Sequence, residues 1–293
     1  MILTILTPTY NRGPLLNTLF QSLKSQSVKD FQWLIIDDGS TDQTKSIVDN
    51  FYNDAFKVDY CYKSNGGKCS ALNYAHEYIR GDWVLIVDSD DVLLSNAVEL
   101  VLKYIDKYNE YTNIGCISFE RINKKGISLA KNVFKYDYVS NAIDYRTNMD
   151  ASGDRAEIYK LEVLKEFPFP IFKGEKFLGE AYLHISAAYK YNTVYVNEAI
   201  YICEYLSDGL TMAGRKMRLE NPIGGMLYGS LYFNKRFKAK YRIKGMMLFI
   251  CYSMVANVPK KKLFMNCRYK LLCLLCFIPG ILLYFYWKYR YLS

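Results

Sequence analysis

The chain has 293 residues, of which 51% are hydrophobic, so it can bury a substantial core and is not a disordered chain. The formal net charge of +9 is concentrated at one end, because residues 235–293 contain thirteen Lys and Arg and no Asp or Glu. That basic segment is also apolar and aromatic, a composition that favours a membrane surface over nucleic acid as a partner.

Strands and helices are predicted to alternate along the first hundred residues. The apolar runs "LTILTP", "FQWLIIDD", "VDYCYK" and "DWVLIVD" predict four strands, and the intervening segments predict helices over "PLLNTLFQSLKSQ", residues 41–51 and "CSALNYAHEYI". The strand runs are continuous and do not alternate with polar residues, which is typical of strands buried on both faces. We therefore expect an α/β fold with a mainly parallel sheet and helices on both faces.

Polar motifs follow each of these strands. In chain order they are "TPTYNR", "DDGSTD", "SNGGK" and "DSDD". Ligands of such sheets bind beyond the carboxyl ends of the strands, so we expect the four motifs to converge on one crevice.

The fourth motif contains three carboxylates, Asp88, Asp90 and Asp91. Like charges this close raise one another's pKa, so a positive partner or a tight turn open to water must make the arrangement tolerable. A divalent cation with oxygen ligands is the obvious partner. A solvated turn without a metal is the alternative.

The four motifs in this order resemble the signature of family 2 inverting glycosyltransferases, which have a Rossmann-like, nucleotide-sugar-binding GT-A fold. The later stretch "GEKFLGEAYL" with "YLSDGLT" is similar to bacterial members that build capsular or exopolysaccharide. The resemblance implies a catalytic domain over residues 1–215, and residues 216–293 then form a basic, apolar, helical C-terminal region.

The resemblance also implies the donor site. Pro8 and Tyr10 would form a wall beside the uracil base, and Asp38 would accept a hydrogen bond from it. Asp88 and Asp90 would hold Mn²⁺ or Mg²⁺, while Asp91 supports them or caps the next helix. The implied nucleotide-binding residues are Pro8, Tyr10, Arg12, Asp38, Gly67, Lys68, Asn73 and Asp88.

An inverting transfer needs a general base for the acceptor hydroxyl. Family members commonly have a Glu-Asp pair about ninety residues beyond the acidic motif, but here Glu180 is followed by Ala181. We predict Glu180 as the base, with Glu175 as the second candidate; that either of them caps a helix remains an alternative. Tyr205, Asp208 and Gly209 are expected in a loop that closes near the diphosphate or the acceptor.

The C-terminal region has its longest uncharged run at 271–287, slightly short of the roughly twenty residues that span a bilayer. Pro279-Gly280 interrupts its centre, so a helical hairpin or an interfacial helix pair is favoured over a single straight transmembrane helix. Lys260 to Lys262, Arg268 and Lys270 would lie at lipid headgroups. Packing against the catalytic domain or a second subunit, as in a homo-oligomer, is the alternative.

The cellular compartment is predicted to be the cytoplasmic face of the cell membrane. The first residues, "MILTILTPTYNRG", do not have the pattern of a secretory signal, and eight cysteines without paired spacing fit a reducing compartment. A zinc site at Cys273 and Cys276 is less favoured than buried thiols.

The predicted activity is metal-dependent, inverting transfer of a hexosyl unit from a nucleoside diphosphate sugar to a hydroxyl of a glycan acceptor. A UDP-sugar is the expected donor, and a lipid-linked glycan in surface polysaccharide biosynthesis is the expected acceptor. Two alternatives remain open. One is a sugar nucleotidyltransferase, and the other is an inactive GT-A-like scaffold of a membrane glycan-assembly complex.

Overall fold

The fold was analysed in a computed structural model of the chain. The structure describes residues 2–51, 55–131, 135–149, 151–203, 210–259, 263, 267 and 269–292. The predicted loop residues Tyr205, Asp208 and Gly209, and the basic residues Lys260 to Lys262 and Arg268, lie outside these ranges.

The described residues separate into two compact units, Met1–Phe169 with Ala187–Glu204, and Pro170–Ser186 with Tyr205–Ser293. This division differs from the predicted domain boundary at residue 215. The segment Pro170–Ser186, which contains Glu175 and Glu180, groups with the C-terminal helices and not with the sheet.

The first unit contains nine strands among its described residues. They are β1 Leu3–Thr9, β2 Phe31–Asp37, β3 Lys57–Tyr62, β4 Trp83–Ile86, β5 Val92–Leu93, β6 Ile114–Ile122, β7 Tyr138–Ser140, β8 Arg155–Lys160 and β9 Asn192–Ile202. The strand order is β3-β2-β1-β4-β8-β6-β9-β5, with β7 also paired to β9. Six strands point one way, and β5, β7 and β8 run antiparallel to their neighbours, so the sheet is mixed.

Helices of the first unit cover both faces of this sheet. They are α1 Gly13–Lys24, α2 Thr44–Asp49, α3 Lys68–Tyr74, α4 Ala97–Tyr108 and α5 Leu161–Glu166. On one face, apolar side chains of α1 and α4 pack with Leu3, Ile5 and Trp33, all fully buried. Because side chains alternate along a strand, the intervening residues of β1 and β2 face the other side, where α3 contacts both strands.

The helix after the second strand begins later than predicted. It starts at Thr44, because the Asp42 carboxylate accepts hydrogen bonds from the Thr44 N–H (3.0 Å) and hydroxyl (2.5 Å). Asp42 therefore satisfies a backbone donor at the start of α2.

The second unit is helical. Its helices are α6 Ala181–Ala187, whose last residue belongs to the first unit, α7 Leu210–Glu220, α8 Pro222–Leu231, α9 Ala239–Val255 and α10 Lys270–Trp287. Helices α8 and α9 approach closely at Gly229 and Gly245, since a Cβ atom on Gly229 would lie 2.8 Å from the Gly245 carbonyl oxygen. Helices α9 and α10 meet at Ile250 and Gly280.

Pro279 does not break the last helix, contrary to our expectation from the sequence. Helix α10 runs from Lys270 to Trp287 with Pro279 inside it, on the exposed side, and Gly280 on the packed side. Proline removes one backbone hydrogen bond, but packing against α9 holds the helix together. The segment Lys270–Tyr291 is long and apolar enough, by length and composition, to cross a membrane.

The eight cysteines are all free. Cys267, Cys273 and Cys276 are buried in one apolar cluster with residues of α9, and burial raises the pKa of Cys273 to about 12. Cys273 is thus a thiol at neutral pH. No group of three or more metal-ligating side chains occurs among the described residues, which gives the zinc alternative no support.

Candidate active site

The first two loops at the carboxyl end of the sheet are tied to each other. Asn11 follows β1 with a positive φ of 50°, and its N–H donates a hydrogen bond to the Ser40 hydroxyl at 2.8 Å. The Thr41 N–H donates in return to Asn11 Oδ1, also at 2.8 Å. These bonds bring "TPTYNR" and "DDGSTD" together, as the topology of a parallel sheet requires.

Asp38 is buried and holds the third loop. Its carboxylate accepts hydrogen bonds from Lys63 Nζ (2.6 Å) and from the N–H groups of Gly66 (2.9 Å) and Gly67 (2.6 Å). Both carboxylate oxygens already have protein partners, so a contact of Asp38 with a base would add to these bonds. Lys63 was missed by sequence reasoning, although it stands beside the quoted "SNGGK" motif.

Asp37 braces the turn after β2. It accepts hydrogen bonds from the Ser40 N–H at 2.7 Å and from the Tyr60 hydroxyl at 2.6 Å. Burial and the Asp37 carboxylate raise the pKa of Tyr60, so its hydroxyl remains a donor at neutral pH.

Pro8 and Tyr10 differ in their access to a ligand. Pro8 is buried within β1, where it pairs with Ile36 of β2, whereas the Tyr10 side chain is 48% exposed just after the strand ends. Tyr10 is therefore available to stack on a planar group, and Pro8 can only form part of the surface beneath it.

Asp88, Asp90 and Asp91, which follow β4, form an acidic corner that faces two basic side chains. Lys68 Nζ lies 2.5 Å from Asp88 Oδ1, and Arg12 Nη1 lies 3.9 Å from Asp90 Oδ2. Gly67, with a φ of 87°, is the N-cap residue of α3 and allows the chain to turn so that Lys68 reaches Asp88. The structure thus brings together Arg12, Lys68, Asp88 and Asp90 from three different loops.

The acidic corner is electrostatically strained. Burial, followed by the charge of Asp88, raises the pKa of Asp90 above its ordinary value. The same two causes raise the pKa of Asp91 to about 6. A positive charge placed among these carboxylates would relieve the repulsion.

Tyr201 of β9 is hydrogen-bonded to two residues of the acidic corner. Its hydroxyl donates a hydrogen bond to Asp91 Oδ2 at 2.8 Å and accepts one from the Asp88 N–H at 3.0 Å. The Arg121 guanidinium lies 4.4 Å from the centre of the Tyr201 ring. Because the Asp91 carboxylate bonds to Tyr201 and the N-cap residue of α4 is Asn96, Asp91 does not cap α4.

A divalent cation fits the acidic corner. Asp88 and Asp90 offer hard carboxylate oxygens, and their side chains are about one third and one fifth exposed (34% and 22%), so a ligand can reach them. Two carboxylates are a usual protein contribution to a Mg²⁺ site that phosphates and waters complete.

Asn73 of α3 is hydrogen-bonded to Phe169, which follows α5. Its amide donates a hydrogen bond to the Phe169 carbonyl oxygen at 2.7 Å and accepts one from the Phe169 N–H at 2.9 Å. These bonds fix the end of the segment Met1–Phe169 against α3, and they account for the polarity of Asn73 without a nucleotide.

Glu180 lies in the second unit, immediately before α6, and lines a cavity of about 160 Å³. Helices α7, α8 and α9 contribute the other walls, among them the polar side chains of Arg218, Asn221 and Tyr228. A carboxylate beside hydroxyl, amide and guanidinium groups is suited to bind and deprotonate a polar ligand.

Glu175 has a structural role. Its two carboxylate oxygens accept hydrogen bonds from the N–H groups of Ile223 (2.6 Å) and Gly224 (2.8 Å) in the first turn of α8. A carboxylate at this position satisfies the free backbone donors of the helix and interacts favourably with its dipole. This geometry matches the alternative that Glu175 caps a helix.

Comparison with known proteins identifies the family. Residues 4–166 match the model of the family described as glycosyl transferase family 2. The chain belongs to glycosyl transferase family 2. It is a glycosyltransferase with a GT-A-like α/β fold, as the order of its motifs predicted.

Curated relatives of this family 2 enzyme include bacterial glycosyltransferases. A GalNAc(5)-diNAcBac-PP-undecaprenol beta-1,3-glucosyltransferase of Campylobacter jejuni is 28% identical over 228 residues, which cover 73% of this chain and 68% of the relative. An uncharacterized glycosyltransferase of Mycoplasma pneumoniae is 35% identical over 112 residues, 36% of this chain and 38% of that protein. The second match therefore covers much less than the full length of the relative.

Solved structures share the fold of this enzyme. Residues 1–349 of S. aureus TarS in complex with UDP-GlcNAc align with a TM-score of 0.64 and 21% identity, covering 96% of this chain and 81% of that one. The mannosyltransferase PcManGT of Pyrobaculum calidifontis, in complex with GDP-Man and Mn²⁺, aligns with a TM-score of 0.59 and 15% identity, covering 98% and 87%. At these identities the alignments establish the fold alone.

Proposed function

We propose that this family 2 glycosyltransferase transfers a hexosyl unit from a UDP-sugar to a hydroxyl of a lipid-linked glycan, with inversion, in surface polysaccharide biosynthesis. The observation that carries the proposal is the acidic corner, where Asp88 and Asp90 lie against Lys68 and Arg12 in a family 2 domain. The Campylobacter relative, named for a reaction on a PP-undecaprenol-linked glycan, supports the acceptor class.

The first loops would bind the nucleotide. Tyr10, exposed after β1, offers a ring for the uracil, and the backbone at Gly66 and Gly67 would approach the ligand without a side chain in between. Lys68 and Arg12 would pair with the diphosphate oxygens, because a phosphate is the stronger anionic partner once it enters.

Asp88 and Asp90 would hold Mn²⁺ or Mg²⁺ together with the diphosphate. The TarS and PcManGT structures, with UDP-GlcNAc and with GDP-Man and Mn²⁺, support a nucleotide sugar and a divalent cation as ligands. When bound, the cation supplies Lewis-acid stabilisation of the charge that develops on the departing diphosphate.

Glu180 would accept the proton of the acceptor hydroxyl on its carboxylate. Its cavity contains Arg218 and Tyr228, which can hydrogen-bond an acceptor sugar. Glu175 is the weaker candidate for this role, since both of its oxygens are used at the start of α8.

The enzyme would work at the cytoplasmic face of the cell membrane. Its free cysteines fit a reducing compartment, and the apolar, basic C-terminal region would bring it to the surface that carries a lipid-linked acceptor. Sharing one surface raises the encounter rate of enzyme and acceptor.

A panel of nucleotide sugars, assayed with Mn²⁺ and a lipid-linked acceptor extract, tests the proposal. Asp90→Asn is expected to weaken Mn²⁺-dependent UDP binding, whereas Glu180→Gln keeps UDP binding and lowers transfer by about 10²–10⁴-fold. Asp106→Asn and Glu162→Gln, which change exposed carboxylates on α4 and α5, are the matched controls. Failure of folded wild-type protein to bind any nucleoside diphosphate with Mn²⁺ or Mg²⁺ would falsify the proposal.

A further inference from the structure

Helix α10 presents a continuous apolar stripe on the side that faces away from α9. Its six members are 58–72% exposed and recur at the spacing of one helical face: Leu271, Leu274, Leu275, Ile278, Leu282 and Phe285. The first and the last member are fourteen positions apart in the helix, so the stripe is about 21 Å long. Soluble proteins rarely leave a patch of this kind in water.

The opposite side of α10 is packed. Cys273 and Cys276 join Met246 and Ile250 of α9 in one cluster, and Trp287 packs near Tyr252 with the ring centres 5.6 Å apart. The stripe is therefore not needed for the core of the second unit. Its side chains are held outward by a helix that is already fixed on its other side.

The positive charges at both ends of the stripe favour an anionic partner. Lys270 precedes it and Lys288 and Arg290 follow it, and residues 235–293 contain no acidic side chain. Two copies that met stripe to stripe would bring these cations together without counter-charges. An anionic lipid surface offers hydrocarbon for the stripe and negative headgroups for its ends.

Two arginine residues, one near each end of α10 on its packed side, favour an orientation of the helix in the plane of the membrane. The Arg242 guanidinium lies 5.6 Å from the Tyr269 ring before the helix, and Arg215 lies 4.0 Å from the Trp287 ring at its end. A helix in the plane of the membrane keeps both guanidinium groups at the same polar level. A crossing helix would place Arg215 and the rest of the charged α7 across the bilayer from Arg242, which is costly.

We propose that α10 lies in the plane of one leaflet of an anionic membrane, with this stripe in the hydrocarbon and its packed side toward the headgroups. The inference deepens the proposed membrane attachment by naming the surface, its orientation and its lipid partner. It does not depend on which sugar the enzyme transfers.

Vesicle flotation of the full-length protein tests the partner. Wild-type protein is expected to float with phosphatidylcholine–phosphatidylglycerol vesicles and more weakly with phosphatidylcholine alone. The double variant Leu275→Glu/Ile278→Glu should lose at least about tenfold in vesicle binding. The matched control Ile127→Glu/Ile171→Glu, at positions 58% and 54% exposed, should bind within about twofold of wild type. Thermal unfolding verifies that all four sites tolerate the charge.

Depth measurements test the orientation. The tryptophan fluorescence of the single variants Leu271→Trp, Ile278→Trp and Phe285→Trp is measured in vesicles that contain brominated lipids, which quench it. The quenching of the wild-type protein is subtracted. An in-plane helix gives equal quenching at the three positions, whereas a crossing helix gives a maximum at residue 278 alone, an outcome that overturns the orientation.

Two further outcomes overturn the lipid assignment. One is equal vesicle binding by the stripe variant and the wild type. The other is a concentration-dependent dimer that the stripe variant abolishes, which would make a second copy the occupant. Transfer to an acceptor in detergent micelles is measured in parallel, so that loss of attachment is distinguished from loss of the proposed activity.

Discussion

The Tyr201 hydroxyl donates a hydrogen bond to the Asp91 carboxylate at 2.8 Å, across 110 residues of sequence. The same oxygen accepts the Asp88 N–H at 3.0 Å, so one buried hydroxyl group fixes both ends of the acidic corner. The last long strand of the sheet is thereby connected to the residues proposed to bind the metal and the diphosphate.

Tyr201→Phe is expected to destabilise the protein and to weaken the donor site. The substitution leaves a buried carboxylate and a backbone N–H without this partner, which costs about 1–3 kcal/mol of unfolding free energy. Urea unfolding measures the stability, and calorimetric titration of UDP with Mn²⁺ measures the affinity. Tyr111→Phe, at a position 56% exposed, is the control and should leave both unchanged. Unaltered UDP affinity in Tyr201→Phe would show that the hydroxyl group is structural only.

Asn221 clamps the loop that leads to Glu180. Its Oδ1 accepts hydrogen bonds from the N–H groups of Lys176 (2.7 Å) and Phe177 (3.1 Å), and its Nδ2 donates to the Met217 carbonyl oxygen at 2.7 Å. We expect Asn221→Ala to lower kcat for transfer by about tenfold to a hundredfold, because small displacements of a general base are costly. The affinity for UDP should not change.

Two variants separate positioning from general destabilisation at this site. Asn221→Asp keeps the acceptor for both loop N–H groups and should recover part of kcat. Asn17→Ala, on the exposed side of α1, is the control and should behave as wild type. An equal loss of UDP affinity and kcat in Asn221→Ala, with no recovery in Asn221→Asp, would contradict the clamp.

The sequence predicted the parts of the site that depend on local pattern. Continuous apolar runs define β1, β2 and β4, and the polar residues that follow each run are the ones that the sheet brings together. The family resemblance implied Asp88, Asp90, Lys68 and Arg12 as site residues, and the parallel sheet brings them together because it places strand ends at one edge.

Contacts between distant segments could not be predicted in this way. The sequence around Tyr201 is typical of a strand in the core and does not indicate its bond to Asp91. Likewise, nothing in the sequence near Asn73 indicates that its amide bonds to Phe169. The continuity of α10 through Pro279 depends on packing by α9, which a local rule for proline does not include.

Glu175 and Glu180 are distinguished by their expected responses to loss of charge. Glu175→Gln should lower the unfolding free energy by about 0.5–2 kcal/mol, because it removes a carboxylate from the start of α8. It should reduce transfer by less than about tenfold, whereas Glu180→Gln should reduce it by about 10²–10⁴-fold. Urea unfolding and initial rates are measured for both variants. The reverse order of the two rate effects would make Glu175 the base.

His76 is expected to make folding sensitive to pH. Burial, and then the charge of Lys165, lowers the pKa of His76 from its ordinary value of 6.5 in the folded protein. The unfolded chain therefore binds a proton more readily, so the contribution of His76 to stability is complete above pH 6.5. This contribution is lost as the pH falls through the folded pKa.

The variant His76→Gln isolates this effect. The wild-type free energy of unfolding, minus that of the variant, should decrease between about pH 7.5 and about pH 5.5. Asp91, whose pKa is raised to about 6, also titrates near this range, but it is present in both proteins and cancels in the subtraction. Chemical denaturation at each pH gives the two free energies. A difference that stays constant or grows on acidification would mean that His76 is not held neutral by its surroundings.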